Sequence, residues 1–319
     1  MIVYYKYIYL INYIIYYILM NTFASNVQNT RHNILNIYIY LISFILIIGV
    51  LYIYIYNKTF NKIELLKNNT KLLLPLPLPY DIIIVGCARN IESHLSNTKQ
   101  KLEMIKSLFK SSQIIIYEND SSDKTLELLT IWKNKNFIQL ITEKNVPGIR
   151  TERLAYARNL LYKEAMKHNF DLLIVVDLDN VINDLSESSI ISCFNLEEDW
   201  AMVGANQTVH YYDIFALRTY DDWVPFDFLK CIHIDRKTQK YCLDDTYKTI
   251  SKDEKPIQVI SCFGGTAIYK RKYLNNCDYG KGFQMNGDSK MEFCEHVSFN
   301  QCIINNGGKI YINPKFINF

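Results

Sequence analysis

The stretch Asp171-Leu172-Leu173-Ile174-Val175-Val176-Asp177-Leu178-Asp179-Asn180 decides the fold. Its apolar run is too short for a helix and is rich in branched residues, which predicts a strand buried on both faces of a parallel sheet. Because side chains alternate along a strand, Asp177 and Asp179 are expected to point to one side and Leu178 to the other. Ligands of parallel sheets lie beyond the carboxyl ends of the strands, and the two aspartates sit at that end.

The aspartate pair predicts a site for a divalent cation. Two carboxylates held this close repel each other unless a cation lies between them. Oxygen ligands suit Mg²⁺, Mn²⁺ or Ca²⁺, and Mg²⁺ usually takes one or two protein carboxylates together with substrate phosphates. A nucleotide diphosphate is therefore the expected partner. The alternative is a plain turn, because Asp and Asn side chains readily hydrogen-bond to nearby backbone.

Composition narrows the class of protein. The chain has 319 residues with 49% hydrophobic content, enough for one large domain or two small ones. A net charge of +3 gives no excess for binding a polyanion, so no nucleic-acid partner is expected. The eight cysteines lack zinc spacing. Cys87 and Cys193 fit buried positions, whereas Cys231 with Cys242, or Cys277 with a later cysteine, could pair in an oxidising lumen.

The N-terminal region, residues 1–56, is predicted to anchor the protein in a membrane. Residues 37–56 carry no charge and place tyrosines near both ends, and about 20 apolar residues match the thickness of a bilayer. Residues 2–20 form a second, weaker candidate span, unless translation begins at Met20. Basic residues flank the main span on both sides, so its orientation stays open, with a lumenal domain in the secretory pathway favoured.

A spacer is predicted between the anchor and the globular domain, over residues 57–80. It ends in Leu74-Pro75-Leu76-Pro77-Leu78-Pro79, and alternating prolines are incompatible with a helix or a central strand. The globular domain is expected to begin near Asp81 and to run to residue 319. Its first half, residues 81–180, is predicted to bind a nucleotide, and residues 181–319 an acceptor.

Apolar periodicity predicts that strands and helices alternate through the first half. The predicted strands are 82–85, 114–117, 137–141 and 172–176, and the predicted helices are 94–110, 125–133 and 152–167. This alternation favours a mainly parallel sheet between helices. The second half is less regular, with strands predicted at 200–205, 257–262, 267–269 and 309–312, a helix at 295–305 and an irregular aromatic segment at 211–245.

Three further motifs accompany the acid pair. Glu118-Asn119-Asp120-Ser121-Ser122-Asp123-Lys124-Thr125 follows the second strand, Cys87-Ala88-Arg89-Asn90 ends the first, and Arg153-Leu154-Ala155-Tyr156-Ala157-Arg158-Asn159 lies on the third helix. Across residues 81–180 the chain resembles the GT-A glycosyltransferases. The residues of these motifs are similar to those of fungal capsule-associated mannosyltransferases and related viral or bacterial proteins. The resemblance implies an α/β, Rossmann-like mixed sheet that is mainly parallel.

The resemblance implies a membrane-anchored glycosyltransferase. Such an enzyme moves a sugar, here mannose or a similar sugar, from a GDP- or UDP-sugar donor to a glycan or glycoprotein acceptor, with Mn²⁺ or Mg²⁺ bound at Asp177 and Asp179. Asp179 would also act in catalysis through the metal. The predicted nucleotide-binding residues are Ala88, Arg89, Asn90, Glu118, Asp120, Asp123, Arg150, Arg153, Arg158 and Asp177.

Some of these residues have a structural alternative. Cationic side chains near a helix N-terminus favour diphosphate oxygens. Arg153 and Arg158 project about 140° apart at 3.6 residues per turn, however, so one of the two is expected to face away. Asp123 is as well suited to capping the following helix as to contacting a ligand.

The acceptor half supplies the remaining candidates. Cys294-Glu295-His296-Val297 resembles the acidic motif that GT-A enzymes place beneath the acceptor, which makes Glu295 the candidate general base for a sugar hydroxyl. His296 is assigned to the metal or diphosphate, although a helix cap with a surface histidine is the plainer interpretation. Gly264 and Gly265 either let backbone approach the acceptor or form a turn. The other acceptor candidates are Trp223 and, as second choices, Asp244, Asp245 and Asp288.

Two other functions stay open. A nucleotidyltransferase would carry a glycine-rich phosphate loop after the first strand, and Gly86-Cys87-Ala88-Arg89 supplies one glycine. An inactive, membrane-tethered sugar-binding scaffold would retain the fold without turnover. Glu295 as a base implies inversion at the transferred carbon, whereas the mannosyltransferase resemblance implies retention.

Overall fold

The computed structural model describes residues 74–225, Asp227 and residues 246–319. Nearer the N-terminus it describes five helical positions, Ile42, Ile45, Gly49, Tyr52 and Tyr56. The chain divides into two compact units, Met1–Lys71 and Leu72–Phe319. Apart from those five positions, the predicted spans at 2–20 and 37–56 lie outside the described residues, as does the spacer up to residue 73. In the described part, no helix has the length and hydropathy that a membrane span requires.

The first half of the second unit forms four parallel strands with three helices between them. In chain order they are β1 (Leu78–Ala88), α1 (Leu95–Ser107), β2 (Phe109–Asn119), α2 (Thr125–Asn134), β3 (Gln139–Glu143), α3 (Arg150–Ala165) and β4 (Leu172–Val176). In space they run β3-β2-β1-β4. From β1 the chain thus builds the sheet outward on one side and then returns to add β4 on the other.

The second half extends the same sheet with a change of direction. Its elements are α4 (Glu187–Ser192), β5 (Met202–Asn206), β6 (Ile257–Val259), β7 (Thr266–Lys270), β8 (Phe283–Asn286), β9 (Ser289–Glu292), α5 (Glu295–Asn305) and β10 (Ile310–Ile317). Within the described residues the sheet has eight strands in the order β3-β2-β1-β4-β7-β5-β10-β6. Strand β7 is antiparallel to both β4 and β5. The sheet is therefore mixed and mainly parallel, as predicted.

The globular unit begins earlier than the sequence indicated. Strand β1 starts at Leu78 inside the proline run, where the Leu78 backbone N–H donates to the Leu108 carbonyl oxygen at 2.7 Å. The register of β1 against β2 shifts between Leu78 and Asp81, and β4 pairs with β1 only from Ile82 onward. Pro79 therefore lies at an irregularity beside an open strand side, where a missing N–H is tolerated.

Helices cover both faces of the sheet. Helices α3 and α5 lie on one face, where Ala155, Leu161 and Phe299 pack on Val85 and Val175. Helices α1, α2 and α4 lie on the other face, over alternate residues of the same strands. Beyond β4, this alternation carries Leu178 into the α1 side of the core and leaves Asp177 on the α3 side.

A disulfide joins Cys277 to Cys302 and ties α5 to the loop that follows β7. This bond is the predicted pairing of Cys277 with a later cysteine. The other predicted pairing, Cys231 with Cys242, lies outside the described residues. Cys193 is buried as expected, and Cys87 is partly buried.

Candidate functional site

The candidate site lies where β1 and β4 end side by side. These two strands are parallel neighbours, and the chain leaves them toward opposite edges of the sheet, so their carboxyl ends form a topological switch point. Ala88 ends β1, and Asp177 follows β4 directly. The Asp177 backbone N–H donates to the Gly265 carbonyl oxygen at 2.8 Å, which brings the start of β7 to the same place.

The acid pair has the predicted alternation. Leu178 packs against Gly86, where an added Cβ would lie 2.7 Å from Leu178 Cγ. Asp177 turns toward α3, and a carboxylate oxygen of Asp179 accepts from the Val181 N–H at 3.3 Å, opening a 3₁₀ turn. The turn predicted as the alternative is therefore present, and it engages one oxygen of Asp179.

Arg158 lies buried between two carboxylates. Its Nη2 donates to Asp177 Oδ1 at 2.9 Å, its Nη1 pairs with Glu295, and its guanidinium lies over the Phe263 ring at 5.2 Å. Burial by itself would lower the pKa of Arg158, but the Asp177 carboxylate raises it above the ordinary value, so Arg158 stays charged. Arg153 points elsewhere and donates to the Gly148 carbonyl oxygen at 2.8 Å, as the 140° separation predicted.

Negative charge accumulates around Asp177. Burial raises the pKa of Asp177 to about 6, and the carboxylates of Asp179 and Asp213 add to that rise against Arg158 and Arg150. Burial likewise raises the pKa of Asp213, although the Gly264 N–H donates to its Oδ2 at 3.0 Å. Four carboxylates (Asp177, Asp179, Asp213 and Glu295) thus face two guanidinium groups (Arg150 and Arg158), which leaves two negative charges uncompensated.

This surplus charge fits one divalent cation. Among the described residues, no group of three or more His, Cys, Asp or Glu side chains is arranged to hold a metal ion. A cation that takes one or two protein carboxylates and completes its shell with substrate phosphates needs no such group. Asp177 and Asp179 are the residues that would hold it.

His296 is not grouped with the acid pair. Its ring stacks on Phe263 with centroids 3.9 Å apart, and both ring nitrogens are buried without a hydrogen-bond partner among the described residues. Burial, followed by the charge of Arg158, holds the pKa of His296 well below its ordinary value, so the imidazole is neutral. The structure places it in the wall behind Arg158 and not beside the predicted cation.

Glu295, the predicted general base, has a buried partner that the sequence did not indicate. It opens α5 as expected, but the residue is 2% exposed and its carboxylate is taken by the Arg158 guanidinium. A general base must reach the proton that it removes, and in this structure the Glu295 carboxylate contacts Arg158 instead. Its contact is that of a counter-ion.

The acidic turn after β2 is satisfied internally. Asp120, with φ +54°, accepts the N–H groups of Asn145 at 2.6 Å and Val146 at 3.2 Å. The side chain of Asn119, followed by the Asn145 N–H, lowers the pKa of Asp120. Glu118 is buried and accepts from the Ser121 N–H at 3.0 Å. These two carboxylates hold the loops around α3 in place.

The loops after β1 and β2 are clamped to each other. Asn90 Oδ1 accepts the Ser122 N–H at 2.8 Å, and Asp123 accepts the N–H groups of Glu92 at 3.1 Å and Thr125 at 2.9 Å. Asp123 therefore precedes the N-cap residue of α2, Lys124, and joins the two loops, while its contact with a ligand stays a prediction.

The remaining nucleotide-binding candidates differ in exposure. Ala88 is buried at the end of β1. Arg89 and Arg150 are exposed on the loop side of the site. Arg89 helps to lower the pKa of Asp120, and Arg150 opposes the rise at Asp177, so both cations lie within electrostatic reach of the sheet edge.

Gly264 and Gly265 form a left-handed turn beside the acids. Their φ angles are +72° and +81°, and a Cβ on Gly264 would lie 2.4 Å from the Ala205 carbonyl oxygen. A Cβ on Gly265 would lie 3.0 Å from the Tyr212 hydroxyl oxygen, while Asn318 Nδ2 donates to the Gly264 carbonyl oxygen at 2.6 Å. Both glycines are buried, so the turn interpretation is the one found, and it fixes the backbone of Asp177.

The other acceptor candidates differ in exposure, and their predicted role stays a prediction. Trp223 is 8% exposed, and its indole N–H donates to the Thr246 carbonyl oxygen at 2.8 Å. Asp288 is exposed in the turn between β8 and β9. Asp244 and Asp245 lie outside the described residues.

Asp213 and Tyr212 were missed by the sequence analysis. Burial, followed by the charge of Asp213, raises the pKa of Tyr212, and Asp177 and Asp179 contribute as well, which places its hydroxyl near both acids. Both residues belong to the segment predicted as irregular and aromatic. Spacing gave no signal there, because these residues reach the site through the fold of the loop against Gly264 and Gly265.

A cavity of about 480 Å³ lies at the opposite end of β4, between Asp171 and Lys270. Five strand residues at about 3.3 Å each separate that cavity from the acid pair.

The chain is similar, at low sequence identity, to several solved proteins. A mannosyltransferase from Pyrobaculum calidifontis, in complex with GDP-Man and Mn²⁺, matches at 10% identity over 75% of this chain and 56% of its own, with a TM-score of 0.41. S. aureus TarS (1–349) with UDP matches at 14% identity over 73% and 57%, with a TM-score of 0.40. Glucosyl-3-phosphoglycerate synthase from Mycobacterium tuberculosis with UDP matches at 14% identity over 62% and 59%, with a TM-score of 0.35.

The chain therefore spans little more than half the length of these solved proteins. No protein-family model matches it, and neither does any curated protein.

Proposed function

We propose that this protein is a divalent-metal-dependent glycosyltransferase that uses a nucleotide-sugar donor. The observation that carries the proposal is the acid pair at the switch point between β1 and β4, where surplus negative charge faces the cationic start of α3. A metal ion and a diphosphate together complement that arrangement, since the ion binds the carboxylates and the phosphate oxygens meet the cations.

The start of α3 suits the diphosphate. Arg150 is exposed in the first turn, and no side chain caps the helix at Ile149, so the cationic side chain and the positive end of the helix dipole both favour an anion there. Arg89 supplies a second exposed cation from the loop after β1. The cation held by Asp177 and Asp179 would act as a Lewis acid on the departing nucleoside diphosphate.

The donor proposed for the first test is GDP-mannose. It follows from the motif resemblance to capsule-associated mannosyltransferases, with UDP-sugars next in order and a glycan or glycoprotein as acceptor. The experiment incubates the purified full chain with Mn²⁺ and a panel of GDP- and UDP-sugars, and measures release of nucleoside diphosphate with and without candidate acceptors.

Each outcome separates the proposal from its alternatives. Release of GDP or UDP that stops when EDTA removes the metal supports a glycosyltransferase. Release of pyrophosphate would instead identify a nucleotidyltransferase. Sugar binding with neither metal-dependent nucleotide binding nor release would identify an inactive scaffold.

We also propose that residues 37–56 anchor this enzyme in a membrane of the secretory pathway. The uncharged run with terminal tyrosines supports the anchor, and the Cys277–Cys302 disulfide fits an oxidising lumen. Extraction of membranes with alkaline carbonate is expected to leave the full chain in the pellet and to release a chain that starts at residue 72. Release of the full chain would contradict the anchor.

A further inference from the structure

The Arg158 guanidinium is shared between two carboxylates of unequal exposure. The Asp177 side chain is 32% exposed and the Glu295 side chain 3%. Asp177 can therefore take a second ligand from solvent, whereas Glu295 contacts Arg158 from inside the protein. The guanidinium lies over the Phe263 ring, with its Cζ 5.2 Å from the ring centroid. Asp177 accepts a hydrogen bond from this guanidinium group through Oδ1.

Glu295 is held rigidly in that position. It is the first residue of α5, and Asn300, on the same helix, donates to the Cys262 carbonyl oxygen at 2.8 Å and to Ser261 Oγ at 3.0 Å. Cys302 adds the disulfide to Cys277. These contacts fix the backbone of the helix, and burial together with the ion pair to Arg158 keeps the Glu295 carboxylate inside the protein.

We propose that Glu295 is a positioning residue of the metal site. By holding one side of the Arg158 guanidinium, it prevents that cation from neutralising Asp177 and so leaves Asp177 able to bind a divalent ion. This inference rests on the proposed function in that it concerns the same metal site. It replaces the role of general base that the sequence predicted for Glu295.

The effect is one of charge balance. With Glu295 ionised, one positive charge is divided between two negative ones. Without the charge of Glu295, the positive charge of Arg158 is balanced by Asp177 alone. A guanidinium bound through two hydrogen bonds then competes with the metal for both carboxylate oxygens of Asp177. Glu295→Gln is nearly isosteric and keeps a hydrogen-bond acceptor for Arg158, so the change removes charge with little loss of packing.

The test is a Mn²⁺ titration of the full chain without nucleotide, followed by the electron paramagnetic resonance signal of free Mn²⁺. We expect Glu295→Gln to raise the dissociation constant for Mn²⁺ at least about tenfold, which corresponds to about 1.4 kcal/mol. The control is Glu164→Gln, the same chemical change at an ion pair between Glu164 on α3 and Lys167 just beyond it, where no effect is expected.

A double variant keeps the test valid if Glu295→Gln alone folds poorly. Arg158→Gln combined with Glu295→Gln removes one positive and one negative charge, so the net charge around Asp177 stays that of the wild type and Glu295 is not left as a buried charge without its partner. If charge balance sets the affinity, the double variant binds Mn²⁺ within about threefold of the wild type. Binding as weak as in the single variant would overturn the inference.

The remaining outcomes distinguish this inference from the proposed function. If Glu295→Gln binds Mn²⁺ like the wild type but loses transfer, together with the acidic limb of the pH–rate profile, Glu295 is the base and the inference fails. If the wild type binds no Mn²⁺ either alone or with GDP or UDP present, both fail. If Mn²⁺ binding depends on Glu295 but no donor is turned over, the inference stands and the proposed function falls.

Discussion

Two groups of acids lie at the same edge of the sheet and behave in opposite ways. In the turn after β2, backbone N–H groups donate to Asp120 and Asp123, and the pKa of each lies below its ordinary value. After β4, the pKa of Asp177 is raised because burial and neighbouring carboxylates outweigh Arg158. An acidic motif in a loop is therefore ambiguous until its hydrogen-bond donors are known.

The opposite pKa shifts indicate that the two groups of acids have different roles. A carboxylate whose oxygens accept hydrogen bonds from backbone N–H groups stabilises the loop that provides those groups. A carboxylate crowded by others, with a raised pKa, is stabilised when a cation arrives. The turn after β2 thus shapes the loops around α3, and the pair after β4 is the place where a metal ion would bind.

The largest expected effect comes from removing charge in the second group. Asp179→Asn keeps an acceptor for the Val181 N–H and removes one metal ligand, so metal-dependent release of nucleoside diphosphate should fall about a hundredfold or more. Thermal unfolding without metal should stay close to that of the wild type. Turnover at the wild-type rate would show that the pair after β4 is structural, like the turn after β2.

Next in size is the loss of the cation between the buried carboxylates. Arg158→Met leaves Glu295 buried and unpaired, which should lower the free energy of unfolding by about 3–5 kcal/mol in urea titrations. Arg153→Met on the same helix removes a contact with the Gly148 carbonyl and is the matched control, expected to stay within about 0.5 kcal/mol. Equal losses in both variants would contradict the buried ion-pair assignment.

The two groups should also respond oppositely to pH. The pKa of Asp177 is raised from 3.8 to about 6, so its ionised form costs stability that is absent below pH 3.8, grows as pH rises and is complete above about pH 6. Asp120, with a lowered pKa, adds stability that is present above pH 3.8 and is lost as pH falls through its lowered value.

The measurement is the difference in melting temperature between wild type and Asp177→Asn, without metal, across that range. The melting temperature of the wild type should fall relative to that of the variant as pH rises toward about 6, and the difference should then stay constant. A difference that does not change with pH would refute the raised pKa, and Asp120→Asn provides the contrasting case.

The smallest effect on turnover is expected in the first group. Asp120→Asn retains one acceptor oxygen for Asn145 or Val146, so the loop before α3 loosens and the melting temperature falls, while turnover with saturating Mn²⁺ stays within about threefold of the wild type. A loss as large as that of Asp179→Asn would move Asp120 into direct contact with the ligand.

Much of the fold could be predicted from the sequence because the residues that begin and end several elements are easy to recognise. Strand β4 lies where it was predicted, bounded by aspartates, and α5 runs from Glu295 to Asn305 as predicted. The β8–β9 hairpin was missed because its residues are mostly polar and exposed, so no apolar alternation marks it. The early start of β1 was missed because Pro79 reads as an interruption.

The site was readable only where it follows a regular element. Asp177 and Asp179 were found because a buried strand ends there. Glu295 was found at its helix start, yet its partner, Arg158, belongs to α3 and meets it only in the folded chain. Asp213 belongs to a loop without periodicity, and its place depends on the Gly264 backbone that donates to it.

The bond between Cys277 and Cys302 has a practical consequence for anyone preparing this protein. It anchors the far end of the helix whose first residue faces Arg158, so a preparation made in a reducing cytosol, or stored with dithiothreitol, would carry a looser wall behind the acids. Batches that differ in thiol content should then differ in manganese requirement, and counting free thiols before any assay is the simplest safeguard.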